Sequence, residues 1–256
     1  MEATTIACTV FGCTMAGAWA GTRLGGMLSE HHLSDDTKNV VRLGSGFVAT
    51  MAALVISLLV SSAKDSFDAR SAELRDSSAE ILLLDRVLEH YGPEAQPARD
   101  QIVVMTRDNL TRFWPEPGAT SPDFDPLSGD EPPIEALDDL VRGLNPATDA
   151  QDQLRSEALD LIQDLARIRW TLFEQYHQHS VPMPFLVVVT AWLGVIFLSF
   201  GLFAPRNAMT GSVFFTAGMS AAIAIFLIVE MEEPFVGVLA LSKEPYLAAL
   251  ADLGRP

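Results

Sequence analysis

The chain has 256 residues, of which 49% are hydrophobic, and its 33 acidic and 17 basic side chains give a formal net charge of −16. An acidic surface repels phosphate backbones, so these totals exclude a nucleic-acid-binding protein. The two cysteines, Cys8 and Cys13, provide neither a disulfide framework nor a thiolate metal site for the rest of the chain.

Four stretches without a charged side chain are long enough to cross a bilayer, which takes about 20 apolar residues in a helix. They occupy residues 3–22, 43–63, 175–205 and 207–229. The sequence therefore predicts a multi-pass protein whose first partner is the lipid bilayer. Glu2 and the lack of a preceding Lys or Arg argue against a cleaved signal peptide, so we expect the first stretch to be retained as an anchor.

Three glycines recur every four residues at the end of the first span: Gly17, Gly21 and Gly25. Small residues at this spacing let two helix backbones approach closely in lipid. We assign these glycines a helix-packing role. Packing against another span of the same chain is favoured over a dedicated dimer interface.

The second span carries small and polar residues on one helical face, namely Gly46, Thr50, Ala53, Ser57 and Ser61. In a pore, such hydroxyl groups replace part of the hydration shell of an ion. Alternatively, the same residues pack and hydrogen-bond against neighbouring helices. Packing is favoured here because a pore also requires a closed ring of subunits. We nevertheless expect a homo-oligomer.

Helical periodicity predicts a bundle between the second and third spans. The helix of the second span is expected to continue to Gly92, and Thr148 with Gln151 forms a capping box that starts the last helix before the third span. Arg70 and Ser77 interrupt the first apolar seam, so we expect that seam to be weak near the membrane. The predicted buried positions are Phe67, Leu74, Ile81, Leu84, Leu88 and Tyr91 in the first helix, Ala98, Ile102 and Met105 in the second, and Leu154, Ala158, Leu161, Leu165, Ile168 and Leu172 in the last.

The sequence therefore predicts an all-α fold, with four transmembrane helices and a helical-bundle soluble domain inserted between the second and third. Residues 1–63 form the first transmembrane hairpin, 64–180 the acidic helical domain, 181–231 the second transmembrane hairpin and 232–256 an interfacial tail. Within the domain, residues 114–133 are rich in proline and acidic side chains, which predicts a mobile loop.

Three acidic residues, Glu230, Glu232 and Glu233, lie where the fourth span ends. Repeated around a symmetric oligomer they form an acidic ring that attracts cations, whereas in isolation they are an ordinary charged end to a span. With the acidic domain, they predict that any conducted ion is a cation.

Histidines and acidic pairs elsewhere do not meet the requirements of a metal site. His31 and His32 are adjacent, His177 and His179 lie near the predicted membrane surface, and residues 123–125 lack the acid and glycine that follow in a calcium loop. No nucleophile–base pair or phosphate-binding glycine loop is present in the sequence. We therefore expect no metal, no cofactor and no enzymatic activity.

Several short segments of the chain form a recognisable set. They are residues 30–36 (EHHLSDD), 49–55 (ATMAALV), 62–68 (SAKDSFD), 84–86 (LDR), 169–170 (RW), 173–175 (FEQ), 201–207 (GLFAPRN) and 234–237 (PFVG). Together they resemble the bacterial bestrophin-like membrane proteins, a family described by a domain of unknown function. The resemblance implies kinship with bestrophins, oligomeric chloride channels with four spans and a helical domain between the second and third. No bestrophin pore motif is matched position by position.

Basic residues in the short loops favour an extracytoplasmic acidic domain. Arg23, Lys38, Arg42 and Arg206 lie on the opposite side of the membrane from the domain, and such residues concentrate on the cytoplasmic side. The bestrophin precedent places the domain inside the cell, as do the basic residues that follow the second span.

The sequence favours an oligomeric ion channel of the bacterial inner membrane. The alternative is a non-conducting sensor or scaffold whose acidic domain binds a cation or a basic partner.

Overall fold

The computed structural model describes residues 3–27, 35–114, 133–177, 181–233, 235 and 237–253. Within these ranges all regular structure is helical and no strand is found, which confirms the predicted all-α class. His31, His32, His179, residues 123–125 and almost all of the predicted loop lie outside the described residues. The helices are α1 (Ala3–Gly25), α2 (Asp35–Tyr91), α3 (Gln96–Phe113), α4 (Pro133–Arg142), α5 (Asp149–His177), α6 (Met183–Leu202), α7 (Ala208–Glu232) and α8 (Glu244–Asp252).

Four of these helices, α1, α2, α6 and α7, are long and apolar enough to cross a membrane. This confirms the prediction of four candidate spans. The chain divides into two compact units, of which unit 1 comprises Met1–Phe67 and Ser180–Glu233. Unit 1 thus contains α1, α6, α7 and the apolar part of α2.

The core of unit 1 lies where α1 and α6 begin and where α7 and the apolar part of α2 end. Consequently α1 and α6 run in one direction, and α2 and α7 run in the other. This core contains Ala3, Ile6, Val10, Leu59, Ala63, Val181, Leu186, Val189, Leu193, Ile225, Ile228 and Val229.

The third candidate span begins at Met183, close to the start at residue 181 that was predicted for the second hairpin. The uncharged stretch begins earlier, at Gln175, and its first residues belong to α5, which continues to His177. Pro182 and Pro184 fit the start of a helix, where a missing backbone N–H costs nothing. The turn to α7 is short, as predicted. Asn207 caps α7, its side-chain oxygen accepting the amide hydrogen of Thr210 at 2.8 Å.

Unit 2 comprises Asp68–His179 and Pro234–Pro256 and is built from the rest of α2 with α3, α4, α5 and α8. The apolar periodicity predicted the buried positions along α2, α3 and α5 correctly, except that Phe67, Leu154 and Leu161 are half-buried and Ile162 is buried beside Leu161. Buried positions that were predicted are Leu74, Ile81, Leu84, Leu88, Tyr91, Ala98, Ile102, Met105, Ala158, Leu165, Ile168 and Leu172.

The end of α2 is fixed by a glycine and a glutamine. Gly92 has a φ of 125°, a conformation that L side chains rarely adopt, and a 3₁₀ turn (Pro93–Ala95) follows. Gln151, in the first turn of α5, receives the amide hydrogen of Ala147 at 2.8 Å and donates to the carbonyl of Tyr91 at 3.0 Å. The predicted cap is also present, with the Gln151 amide 3.2 Å from the Thr148 hydroxyl.

Arg70 and Ser77, at which a weak seam was predicted, are both buried. Arg70 is 4% exposed and donates to the carbonyl of Gln175 at 2.8 Å, and Ser77 is 6% exposed and bonds Tyr246. Both polar side chains are buried in the seam because distant parts of unit 2 supply their hydrogen-bond partners. A buried polar group with a partner avoids the cost of desolvation.

The C-terminal segment, assigned from sequence to an interfacial tail, belongs to unit 2 in the structure. Tyr246 is 1% exposed, and its ring lies 6.0 Å from that of Phe113 and 5.8 Å from that of Trp114. Trp114, assigned to the start of the mobile loop, donates from its ring nitrogen to the carbonyl of Leu241 at 2.9 Å. Phe235 completes this aromatic cluster.

Candidate functional site

The small and polar face of α2 points away from the core of unit 1. Gly46, Thr50, Ala53, Ser57 and Ser61 are all exposed. The packed face of α2, which carries Ala52, Leu59 and Ala63, lies about 140° away around the helix axis at ~100° per residue. Within the described residues, the other spans of the same chain therefore leave the small and polar face uncovered.

A third face of α2, next to the small and polar face, carries large apolar side chains that are also exposed. Phe47, Leu54 and Leu58 are 69%, 62% and 65% exposed. Such side chains suit the hydrocarbon of a bilayer, whereas the neighbouring glycine, alanine and hydroxyl side chains provide little apolar surface. The helix thus presents two chemically different surfaces outside the chain.

α2 is also the least covered of the four candidate spans. Only 17% of its apolar window is buried within the chain, compared with 33% for α6. Thr50 donates its hydroxyl hydrogen to the carbonyl of Gly46 at 3.0 Å, so this polar group is satisfied by its own helix. In lipid, an uncovered helix face of small residues is a surface for a second helix.

The glycines of α1 lie against α6. A Cβ atom at Gly17 would be 2.5 Å from the carbonyl oxygen of Gly194, and one at Gly21 or Gly25 would overlap the carbonyl of Leu198 or Leu202. The two helices therefore run parallel in backbone contact, with an offset that repeats every four residues. This contact is made within the chain.

α7 also packs against α1. The rings of Phe11 and Phe215 meet edge to face at 5.4 Å, and a Cβ atom at Gly218 would be 2.7 Å from the Met15 methyl carbon. Glycine and aromatic contacts thus hold α1, α6 and α7 together. These three helices leave the small and polar face of α2 exposed.

The three acidic residues at the end of α7 do not share one environment. Glu230 is buried at 7% exposure, Glu232 is half-buried and Glu233 is exposed. Glu233 is the C-terminal cap of α7, and its amide donates to the carbonyl of Glu230 at 3.3 Å. Of the three, Glu233 has the carboxylate with most access to solvent.

Unit 2 contains a buried ion pair that the sequence analysis did not identify. Arg99 donates from two nitrogens to the two carboxylate oxygens of Asp85, at 2.8 and 2.9 Å, and the side chains are 14% and 8% exposed. These hydrogen bonds raise the pKa of Arg99. No spacing rule relates the two residues, because they lie on different helices.

Acidic side chains cluster on the part of α2 beyond its apolar window. Burial and then the charge of Asp164 raise the pKa of Glu80, and burial and then Asp76 raise that of Glu73. The cluster does not form a metal site: among the described residues, no group of three or more His, Cys, Asp or Glu side chains is placed to hold a metal ion.

The core of unit 2 also contains a small cavity of about 20 Å³, room for about one water molecule. Ser77, Asn109, Arg169 and Tyr246 are its polar lining. Within the described residues, the side-chain oxygen of Asn109 has no hydrogen-bond partner. The cavity is therefore a place for a structural water and is too small for an organic ligand.

The family model described as Bestrophin-like domain matches residues 10–246. No curated protein and no solved structure matches the chain.

Proposed function

Since this chain belongs to the bestrophin-like family, we propose that this membrane protein is an oligomeric ion pore in which the small and polar face of α2 lines the ion path. The supporting observation is that this face, which α1, α6 and α7 leave uncovered, is exposed at Gly46, Thr50, Ala53, Ser57 and Ser61. A ring of α2 helices removes this face from lipid and presents its hydroxyl groups to one another.

The small and polar face of α2 and the apolar face beside it have different side chains, and both suit such a ring. Small residues allow neighbouring helices to approach, and hydroxyl oxygens can coordinate a partly dehydrated ion. Leu54 and Leu58, on the adjacent face, remain available to lipid or to a neighbouring subunit. A closed cyclic homo-oligomer satisfies both faces.

We further propose that unit 2 lies outside the bilayer, as a domain inserted between the second and third spans. Its acidic side chains attract cations and repel anions at one end of the path. With Glu233 at the exposed end of α7, this charge favours cation conduction. The basic residues Arg23, Lys38, Arg42 and Arg206 favour an extracytoplasmic position for unit 2 in a bacterial inner membrane.

A second candidate function is a non-conducting sensor, in which unit 2 binds a cation or a basic partner. The observation that favours it is α2 itself, a single helix of 57 residues that contributes to both units. Such a helix transmits a change in unit 2 to the membrane without a hinge. We propose no enzymatic activity, cofactor or nucleic-acid partner for either function.

Two measurements on the full-length protein test the pore. Its mass in lipid-preserving nanodiscs is expected to correspond to a ring of three or more subunits, and planar bilayers under a salt gradient are expected to give a cation-selective reversal potential. A monomer or dimer that carries no current would favour the sensor. Chloride selectivity would retain the pore and refute the electrostatic argument.

A further inference from the structure

Unit 1 has an open groove of about 490 Å³ at the end of α1 and the start of α7, within the ~300–1,000 Å³ range of small-ligand sites. Its upper rim is formed by Arg23, Arg206 and Asn207, and Met15 and Phe214 are apolar residues of its wall. None of the described residues that line it is acidic. The groove therefore combines positive charge with apolar surface.

The two arginines are held in different ways. The guanidinium of Arg206 donates to the carbonyl of Thr22 at 2.7 Å, which ties the α6–α7 turn to α1. An arginine fork has five N–H donors, so one such bond does not exhaust it. The guanidinium carbon of Arg23 lies 4.9 Å from the centre of the Trp19 ring. Tryptophan and arginine at the end of a span are typical of the membrane–water interface.

The start of α7 adds to the positive field of the rim. Asn207 caps the amide of Thr210, and the first turn of a 25-residue helix carries the positive end of its dipole. Below the rim, Met15 precedes Arg23 by two helical turns, about 12 Å at ~1.5 Å per residue. The polar rim and the apolar wall thus follow the direction from headgroup to acyl chain in a lipid.

We propose that this groove binds an anionic phospholipid, with its phosphate between Arg23 and Arg206 and its acyl chain along Met15 and Phe214. Arginine forks match phosphate oxygens geometrically, and basic pockets between spans recognise anionic headgroups. The proposal requires only that unit 1 lies in a bilayer and does not depend on ion conduction.

Native mass spectrometry of the full-length protein in neutral detergent tests it, with phosphatidylglycerol, phosphatidylcholine and inorganic phosphate as separate probes. The wild-type protein is expected to retain phosphatidylglycerol in preference to phosphatidylcholine. Arg23→Gln/Arg206→Gln is expected to weaken this binding about 25-fold, from a contribution of about fivefold per arginine. Lys38→Gln/Arg42→Gln, which removes the same charge from α2, is expected to leave it within about twofold.

A second variant keeps both arginines and tests the groove itself. Nothing lies within 4 Å of a Cβ atom at Gly211, which lines the groove, so a side chain can begin there without meeting a neighbour. Gly211→Leu is therefore expected to occupy the groove and reduce lipid retention. Gly12→Leu is its control, since that position of α1 is equally open and lies outside the groove.

Four results would overturn the proposal. The first is that the double arginine variant retains phosphatidylglycerol as well as the wild type does, and the second is that Lys38→Gln/Arg42→Gln loses as much of this binding as the double arginine variant. The third is that Gly211→Leu retains the lipid as well as the wild type does. The fourth is that millimolar inorganic phosphate displaces the lipid. The second would indicate diffuse surface charge, and the last would assign the groove to a free anion. If the double arginine variant does not fold, Gly211→Leu decides.

Discussion

The phenol oxygen of Tyr246 lies 2.7 Å from the hydroxyl oxygen of Ser77, in the buried interior of unit 2. This hydrogen bond joins α8, near the end of the chain, to the middle of α2. It also explains why a serine occupies a core position of the α2 seam. The C-terminal segment is therefore part of the core of unit 2.

Removing this hydrogen bond is expected to destabilise the protein. Tyr246→Phe leaves the Ser77 hydroxyl buried without that partner, which costs about 1–2 kcal/mol, and Tyr246→Ala costs about 3–5 kcal/mol through the cavity it creates. Unfolding of the full-length protein in detergent, followed by tryptophan fluorescence, measures both.

Tyr91→Phe is the matched control. Tyr91 is 3% exposed, and its hydroxyl has no hydrogen-bond partner among the described residues. Its loss is expected to be neutral or slightly stabilising. Equal destabilisation by Tyr246→Phe and Tyr91→Phe would show that the Ser77 contact contributes nothing of its own.

Tyr246 also predicts a loss of stability at alkaline pH. Burial raises the pKa of its phenol to about 12, above the unperturbed value of about 10. The neutral phenol thus stabilises the fold fully below about pH 10, and this contribution is lost as pH rises towards 12. Unfolding midpoints between pH 9 and 12, by ~1 pH unit steps, are expected to fall less steeply for Tyr246→Phe. Identical slopes would contradict the assignment.

The acidic cluster on α2 predicts a pH dependence of the same sign at a different group, Glu80. Because the pKa of Glu80 is raised in the folded state, its contribution to stability is present below the unfolded pKa and lost as pH rises through the folded value. Glu80→Gln is therefore expected to raise the free energy of unfolding at pH 7. The gain is less than about 1 kcal/mol because the group is half-exposed, and no such gain is expected at acid pH. Glu157→Gln, an exposed position on α5, is the control. A Glu80→Gln gain that is independent of pH would refute this account.

Removing one partner of the Asp85–Arg99 pair is expected to lower the free energy of unfolding substantially. Asp85→Asn leaves a buried guanidinium without its carboxylate, which costs about 3–5 kcal/mol. The same change at Asp138, whose pair with Arg142 is at the surface, is expected to cost less than about 1 kcal/mol. Equal unfolding midpoints for the two variants would show that burial does not set the strength of the inner pair.

Because α1 and α6 are in backbone contact, the glycines of α1 are expected to differ in how well they tolerate substitution by alanine. Gly21→Ala places a methyl group against the backbone of α6, which cannot move away as a side chain can, and is expected to cost at least about 2 kcal/mol. Gly12→Ala meets nothing within 4 Å and is expected to be tolerated. Thermal unfolding in detergent compares them, and a tolerated Gly21→Ala would mean that the helices are further apart.

Sequence periodicity was sufficient for the helices and for most of the core. Leu74, Ile81 and Leu88 were predicted because burial along a helix follows from local spacing. The burial of Arg70 and Ser77 was not predictable in this way, since their partners lie 105 and 169 residues away in the sequence. A local pattern identifies a polar residue on a seam but not the distant group that bonds it.

The candidate site was also predictable from the sequence only in part. The small and polar face of α2 follows from helical spacing alone. Whether another helix covers Thr50 and Ser57 depends on how α1, α6 and α7 pack, and three-dimensional packing left this face exposed. The groove at Arg23 and Arg206 was missed because the two residues lie far apart in the sequence. They are brought to the same groove by the hydrogen bond of Arg206 to the carbonyl of Thr22, the residue before Arg23.

Thiol block of the ionic current tests the central claim most directly. In a Cys8→Ala/Cys13→Ala background, which removes two exposed cysteines, a charged thiol reagent is expected to block conductance through Ser57→Cys. It is expected to leave Leu58→Cys unaffected, because Leu58 lies on the apolar face of the same helix. Equal block at both positions, or block only at Leu58→Cys, would contradict a pore lined by the small and polar face of α2.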